Sequence, residues 1–134
     1  MKAALGNLKE TFGDSVHLMA GNVATLEAFN DLSDWGADSI RVGVGGGSIC
    51  STRVQTGHGV PTFQSVIDCS LSDRDATLIA DGGIKNSGDM VKALAAGADM
   101  VMCGSLLAGT VETPGIVLRS DDGSPPRKIY RGMA

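Results

Sequence analysis

The sequence predicts an α/β fold built on a parallel sheet with helical crossovers. Three observations carry that expectation. Short, apolar, β-branched runs alternate along the chain with stretches whose apolar residues recur at helical spacing. Glycine, 19 of the 134 residues, gathers just after the apolar runs rather than in low-complexity tracts. The chain also echoes itself: Gly36-Ala37-Asp38-Ser39-Ile40-Arg41-Val42-Gly43 returns 61 residues later as Gly97-Ala98-Asp99-Met100-Val101-Met102-Cys103-Gly104. Each copy reads as a helix stop, an Ala-Asp turn, a buried strand and a closing glycine. The offset corresponds to two βα units of about thirty residues each.

In order, residues 2–13 suit a helix, with Leu5, Leu8 and Phe12 on one face. Residues 15–20 read as a buried strand ending at Gly21-Asn22. Thr25 is placed to cap a helix running to about Trp35, with Leu26, Phe29 and Leu32 inward and Gly36 as its stop. Residues 39–43 form the second strand, and residues 51–60 read as irregular. Pro61 suits the first turn of a helix that buries Phe63, Val66 and Ile67. The third strand is 76–80. Ser87 then caps a helix with Met90, Val91 and Leu94 inward, ended by Gly97. Residues 100–103 are the fourth strand. Beyond Thr113-Pro114-Gly115 the chain turns polar, Asp121 to Pro126 is a turn, and Lys128-Ile129-Tyr130 is a short strand.

Four strands are half of what a closed βα barrel needs. In barrels and open α/β sheets alike, sites form at the edge where strands end, and here every glycine-rich signature follows a strand. Composition narrows the function further. The net charge of −4 argues against a nucleic-acid partner. No apolar run is long enough to span a membrane, and Met1 to Gly6 lacks the apolar core of a signal peptide. Three cysteines, Cys50, Cys69 and Cys103, form an odd set without metal-ligand spacing, as expected of thiols in a reducing cytoplasm.

The stretch richest in chemistry runs from Val42 to Arg53. Glycines at 43, 45, 46 and 47 allow positive φ and close approach of other groups to the backbone. Ser48, the thiol of Cys50, Thr52 and Arg53 follow at once. Alone, this is either a nucleophile presented by an anion-friendly loop or a glycine-rich turn with a packed cysteine. Asp81-Gly82-Gly83 after the third strand is either a ligand-gripping carboxylate beside a phosphate-accepting backbone or a capping turn. Gly104-Ser105 after the fourth strand occupies a position where barrels often bind phosphate. Cys69 and Cys103 read as packing residues and His17 as structural. His58, in the loop after Cys50, receives no role.

Gly43-Val44-Gly45-Gly46-Gly47-Ser48-Ile49-Cys50-Ser51-Thr52-Arg53 resembles the catalytic loop of the IMP dehydrogenase and GMP reductase family, and Tyr130-Arg131-Gly132-Met133 resembles that family's Tyr-x-Gly-Met. The resemblance implies a partial (β/α)8 TIM barrel, about strands five to eight, with residues 1–134 forming the C-terminal half of the catalytic barrel. It implies NAD- or NADP-linked redox chemistry at C2 of a purine mononucleotide (IMP, XMP or GMP), with Cys50 as nucleophile and Thr52 near the reacting carbon. Ser48, Asp81, Gly82, Gly83, Gly104, Ser105, Tyr130, Gly132 and Met133 would bind the nucleotide. Potassium would sit on the carbonyls of Gly45, Gly47 and Cys50. The complete protein would be a homotetramer, and the 134-residue chain by itself inactive without a complementary half-barrel. Met133-Ala134 favours the reductase, whereas Arg131 favours the dehydrogenase; the reductase is the preferred reading. Two alternatives stand beside it: a flavin mononucleotide-dependent barrel oxidoreductase, which leaves Cys50 unexplained, and an inactive half-barrel that binds only a nucleotide or a partner.

Overall fold

The computed structural model describes residues 1–132. Its centre is a four-stranded, wholly parallel sheet in the order β1 (Met19–Val23), β2 (Ser39–Val42), β3 (Thr77–Asp81), β4 (Met100–Met102). Helix α1 (Lys2–Phe12) precedes it. Helices α2 (Leu26–Asp34), α4 (Thr62–Cys69) and α5 (Ser87–Ala95) make the crossovers, with a short α3 (Thr52–Thr56) inserted after β2. After β4 come α6 (Ser105–Ala108) and a small antiparallel hairpin of β5 (Val117–Leu118) and β6 (Arg127–Lys128). Sequential strands lying side by side, each joined by a helix, form an arc of βα units. That is the arrangement of a partial βα barrel.

Register divides the strand residues between two faces. Ala20, Ile40 and Leu78 pair across the sheet and point at the helices. There Ile40 and Val42 lose all solvent contact among Phe29, Leu32, Val66 and Cys69. Each such apolar side chain contributes about 1.5–3 kcal/mol on burial. The alternate positions, Met19, Ser39, Arg41, Thr77, Ile79, Asp81, Met100 and Met102, share the opposite, concave face by the two-residue period of a strand. Met19 and Met100 are more than half exposed on it, at its two edges.

The sequence echo has a structural cause. In the first copy, Gly36 (φ 98°) ends α2, with its N–H bonded to Ser33 O and the Ala37 N–H to Leu32 O. Asp38 then clasps the neighbouring chain. Its N–H donates to Leu18 O at 2.9 Å, and its Oδ2 accepts the Leu18 N–H at 2.7 Å. In the second copy, Gly97 (φ 107°) ends α5 in the same way, and Asp99 clasps Leu78 at the same two distances. Each aspartate thus fixes the entry of one strand against the strand before it.

Several expectations shift. Residues 15–18 are not strand: a 3-10 turn covers Gly13–Ser15, and β1 begins at Met19 and contains Gly21 and Asn22. His17 lies before it, exposed, with Nε2 2.9 Å from the buried Ser39 Oγ. Asn86, not Ser87, caps α5, because its extended backbone lets Oδ1 accept the Asp89 N–H at 2.9 Å. Pro61 (ψ 120°) stands before α4 rather than in its first turn. On α4 the buried residues are Ser65, Val66 and Cys69, whereas Phe63 and Ile67 are exposed. On α5 Ala93 is buried and Val91 and Leu94 are exposed. Both helices present only a narrow seam to the sheet. Residues 51–60 hold α3, and the last short strand is Arg127–Lys128, with Tyr130 just beyond it. Met133 and Ala134 lie outside the described residues.

Asp38 gives a direct test of this scaffold. The Leu18 N–H, and after it the Lys9 ammonium at 2.7 Å, hold its carboxyl below the usual aspartate range. A depressed folded-state pKa contributes stability that is present above the unfolded value, near 4, and is lost as pH falls through the folded one. Asp38→Ala should destabilise the chain by about 1.5–3 kcal/mol at pH 7. In urea melts followed by Trp35 fluorescence, the gap between wild type and variant should shrink as the pH drops below about 4.

Candidate active site

The C-terminal ends of β1, β2 and β3 meet at one carboxylate. Asp81, the last residue of β3, accepts on Oδ2 from Asn22 Nδ2 (2.7 Å), Arg41 Nη2 (2.7 Å) and Arg41 Nε (3.1 Å). Asn22 also donates to Gly43 O at 2.8 Å, tying the β2 exit into the same knot. All three bonds to Asp81 fall on one oxygen. Among the described residues Oδ1 carries no hydrogen bond.

The glycines around it are required by backbone contact. At Gly43 (φ 143°) a Cβ would collide with the Asp81 carbonyl. At Gly82 (φ 99°) it would come within 3.0 Å of Gly47 N and 3.1 Å of Gly46 C. The loops after β2 and β3 therefore interlock main chain against main chain. Any side chain at these points would push them apart.

On that platform the β2 loop turns back on itself, with the Cys50 N–H bonded to Gly47 O at 3.1 Å, and delivers Cys50 to the surface just before α3. Cys50 Sγ lies 3.2 Å from Thr52 Oγ1. The Thr52 hydroxyl and backbone, joined by the nearby Arg53 charge, hold the thiol below its ordinary pKa, against the opposing effects of desolvation and, less, of Asp81. Cys69 is the contrast: burial pushes its thiol up to about 11, as befits a packing residue. Cys103 is half-buried just after β4.

Cys50, Thr52, Gly45, Gly47, Asp81 and Gly82 all line one cleft of about 430 Å³, with Asn22 and Arg41 on its wall. Gly83 opens instead on an adjoining cavity of about 490 Å³ behind the interlocked loops. Gly104 and Tyr130 meet in a third, of about 510 Å³, where a Cβ on Gly104 would come 2.5 Å from the Tyr130 hydroxyl. Ser48, Ser105 and Gly132 are exposed and line none of the three. Met133 lies outside the described residues. His58 stands apart, its Nδ1 2.8 Å from Thr56 O within its own turn.

Sequence reasoning missed Arg41 and Asn22. Arg41 carried a signal, being a charged residue between Ile40 and Val42 in a strand whose flanks are buried. Strand alternation aims it at the other face, where a charge requires a partner. Asn22 carried none, because Gly21-Asn22 reads equally well as a strand-ending turn.

The thiol and the clamped carboxylate thus share one cleft at the strand ends, the edge where α/β barrels place their sites. The family model described as "IMP dehydrogenase / GMP reductase domain" matches residues 1–134, and the chain belongs to that family. It is 51% identical over 130 residues to the inosine-5'-monophosphate dehydrogenase of Nitrosopumilus maritimus, covering 96% of this chain and 27% of that protein. It is 54% identical over 123 residues to the GMP reductase of Leishmania major, covering 90% and 25%. Among solved structures it matches an inosine 5' monophosphate dehydrogenase from Legionella pneumophila (TM-score 0.86, 54% identity, 99% of this chain and 40% of that one). It also matches a GMP reductase from Trypanosoma brucei in complex with guanosine 5'-monophosphate (TM-score 0.89, 46% identity, 98% and 28%). The chain thus spans about a quarter of the length of these curated relatives.

The thiol's environment predicts its reactivity. Cys50 should be alkylated by iodoacetamide at neutral pH well before Cys69. Thr52→Val should move the pH midpoint of Cys50 alkylation upward, because it removes the hydroxyl that stabilises the thiolate. Peptide mass spectrometry across a pH series reads both outcomes.

Proposed function

We propose that residues 1–134 are the C-terminal half of an IMP dehydrogenase/GMP reductase-type catalytic barrel, which holds a purine mononucleotide and attacks its C2 carbon. The observation that carries this reading is the meeting, in one cleft, of the activated Cys50 thiol with Asp81, whose second oxygen is left to accept hydrogen bonds. In this reading Cys50, deprotonated with the help of Thr52, adds to C2. In the oxidative direction C2 of IMP loses a hydride, and water then displaces the thiolate to give XMP. In the reductive direction C2 of GMP loses ammonia after the addition, accepts a hydride and releases the thiolate to give IMP. Both routes pass through a covalent thioimidate joining Cys50 to the purine. NAD or NADP, when bound, supplies the hydride acceptor or donor. The cleft has the size usual for small-molecule sites.

The remaining roles follow the same reading. Asp81 Oδ1 accepts from the ribose hydroxyls, while Arg41 and Asn22 hold the carboxylate in place. Gly83, Ser48, Gly104, Ser105 and Tyr130 would serve the phosphate end of the nucleotide, and Gly132 and Met133 the base. A potassium ion would be held by the Gly45, Gly47 and Cys50 carbonyls. The Gly47 carbonyl already accepts the Cys50 N–H and retains a second lone pair for an ion. A free, reactive thiol suits a reducing compartment such as the cytoplasm. The open outer edges of β1 and β4 suit pairing with the other half of the barrel, and the whole is expected to assemble as a tetramer.

The chain alone should produce no IMP- or GMP-dependent change in NADH or NADPH absorbance. Combined with the family's first four strands and the segment that follows Tyr-x-Gly-Met, it should turn over, and assays in both directions decide which reaction is run. In that complete enzyme Cys50→Ala should abolish turnover and leave nucleotide binding within a few-fold of wild type. Cys69→Ala should retain activity and lose about 1 kcal/mol of stability. Normal turnover by Cys50→Ala would rule out the covalent route, and bound flavin absorbance in the purified protein would favour the flavin alternative.

A further inference from the structure

The segment after β4 is built differently from the rest of the chain. No hydrophobic residue beyond Ala98 belongs to the buried core among the described residues. The β5/β6 hairpin consists of two residue pairs, Val117 with Lys128 and Leu118 with Arg127. Such a ribbon is marginal by itself in water. Among the described residues, the side-chain hydrogen bonds that tie it to the domain come from one residue. Lys128 is half-buried, and its Nζ donates to Thr110 O and to Thr113 O, each at 2.6 Å. The loop it grips is folded to receive it. Thr113 Oγ1 donates to Leu107 O (2.7 Å), Thr110 and Thr113 share a hydroxyl contact at 3.0 Å, and the Thr110 N–H returns to Leu107 O at 3.1 Å. Among the described residues no carboxylate forms an ion pair with Lys128. Its charge is directed at two carbonyl dipoles of one turn, and hydrogen bonds to a charged donor are the stronger kind.

Tyr130 lies two residues after Lys128, and its hydroxyl rests against Gly104 at the exit of β4. The residue is 42% exposed, so packing alone does not hold it there. We infer that Lys128 is a positioning residue: by bolting the hairpin to the Leu107–Thr113 turn it sets the place of the Tyr130 hydroxyl beside Gly104. Its effect on ligand binding is exerted through Tyr130. The part of this inference that concerns a nucleotide rests on the function proposed above, in which Tyr130 meets the phosphate.

Tyr130 is the only tyrosine in the chain, so 3-fluorotyrosine labelling places one fluorine reporter at the point in question. In the ligand-free 134-residue chain, the wild-type ¹⁹F line should be displaced from its position in urea. In Lys128→Met the line should collapse to the urea position while Trp35 fluorescence still reports a folded core. Lys128→Arg, which keeps a charged donor able to reach both carbonyls, should restore the displaced line. If the Met variant does not fold, Lys128→Gln is read in its place. A displaced line in the Met or Gln variant, or failure of Arg to restore it, overturns the inference. Titration with IMP then separates the two claims. The wild-type line should move with IMP, and the midpoint should rise about tenfold in Lys128→Met. An equal midpoint overturns the effect of Lys128 on binding. A wild-type line that ignores IMP overturns the phosphate role of Tyr130, and the ligand-free comparison alone then decides the anchor.

Discussion

The arrangement turns on the clamp that Arg41 and Asn22 close on Asp81. Its members come from three adjacent strands and meet where those strands end. The Asp81 side chain is only 18% exposed, and a carboxylate so far out of water is expensive unless it is paired and hydrogen-bonded. The pairing is two-pronged on a single oxygen, with Arg41 Nε and Nη2 both donating, a fork geometry that a lysine at 41 would not reproduce. Asn22 adds a third donor and, through Gly43 O, joins the clamp to the glycine loop that carries Cys50. A shift of any one strand would therefore be felt at both the carboxylate and the thiol.

Beneath the clamp, the sheet is kept in register by a device used twice. Asp38 and Asp99 stand at equivalent points of two βα repeats, each closing a two-bond ring with the neighbouring chain. The helix-side core supplies the bulk of the burial, through Ile40, Val42, Leu78 and Ala80 against Phe29, Val66 and Cys69. The other side carries the polar clamp together with Ser39, Thr77, Ile79 and Met102, and with Met19 and Met100 at its edges. That division matches a barrel, in which the inner face is shared with the strands of the other half and the site sits on the rim.

Much of this was readable from residue order, and particular residues explain where legibility stopped. The echo around Asp38 and Asp99 announced the repeat, and Thr25, whose hydroxyl accepts the Ala28 N–H at 3.3 Å, announced the start of α2. Glycine spacing marked the interlocked loops. Element ends were harder. The apolar run Val16 to Met19 looks like strand, yet the chain pairs only from Met19, where Asp38 secures the preceding Leu18. Phe63, Ile67, Val91 and Leu94 satisfy helical periodicity yet remain exposed. The family resemblance joins Cys50, Thr52 and Asp81 in one site, and their sharing one cleft is a property of the β2 and β3 loops together. The clamp itself was hidden because its partners lie 40 and 59 residues from Asp81. No local pattern encodes a pairing over that distance.

The proposed site depends most on the second oxygen of Asp81, taken to accept from ribose hydroxyls beside the reactive thiol. Isothermal titration of the chain with IMP and with its 2′,3′-dideoxy analogue tests this directly. IMP should bind about tenfold more tightly than the analogue, because a partly buried acceptor left unpaired is penalised by about 1–3 kcal/mol, and Asp81→Ala should erase the difference. Equal affinity of the wild-type chain for the two ligands would overturn the assignment.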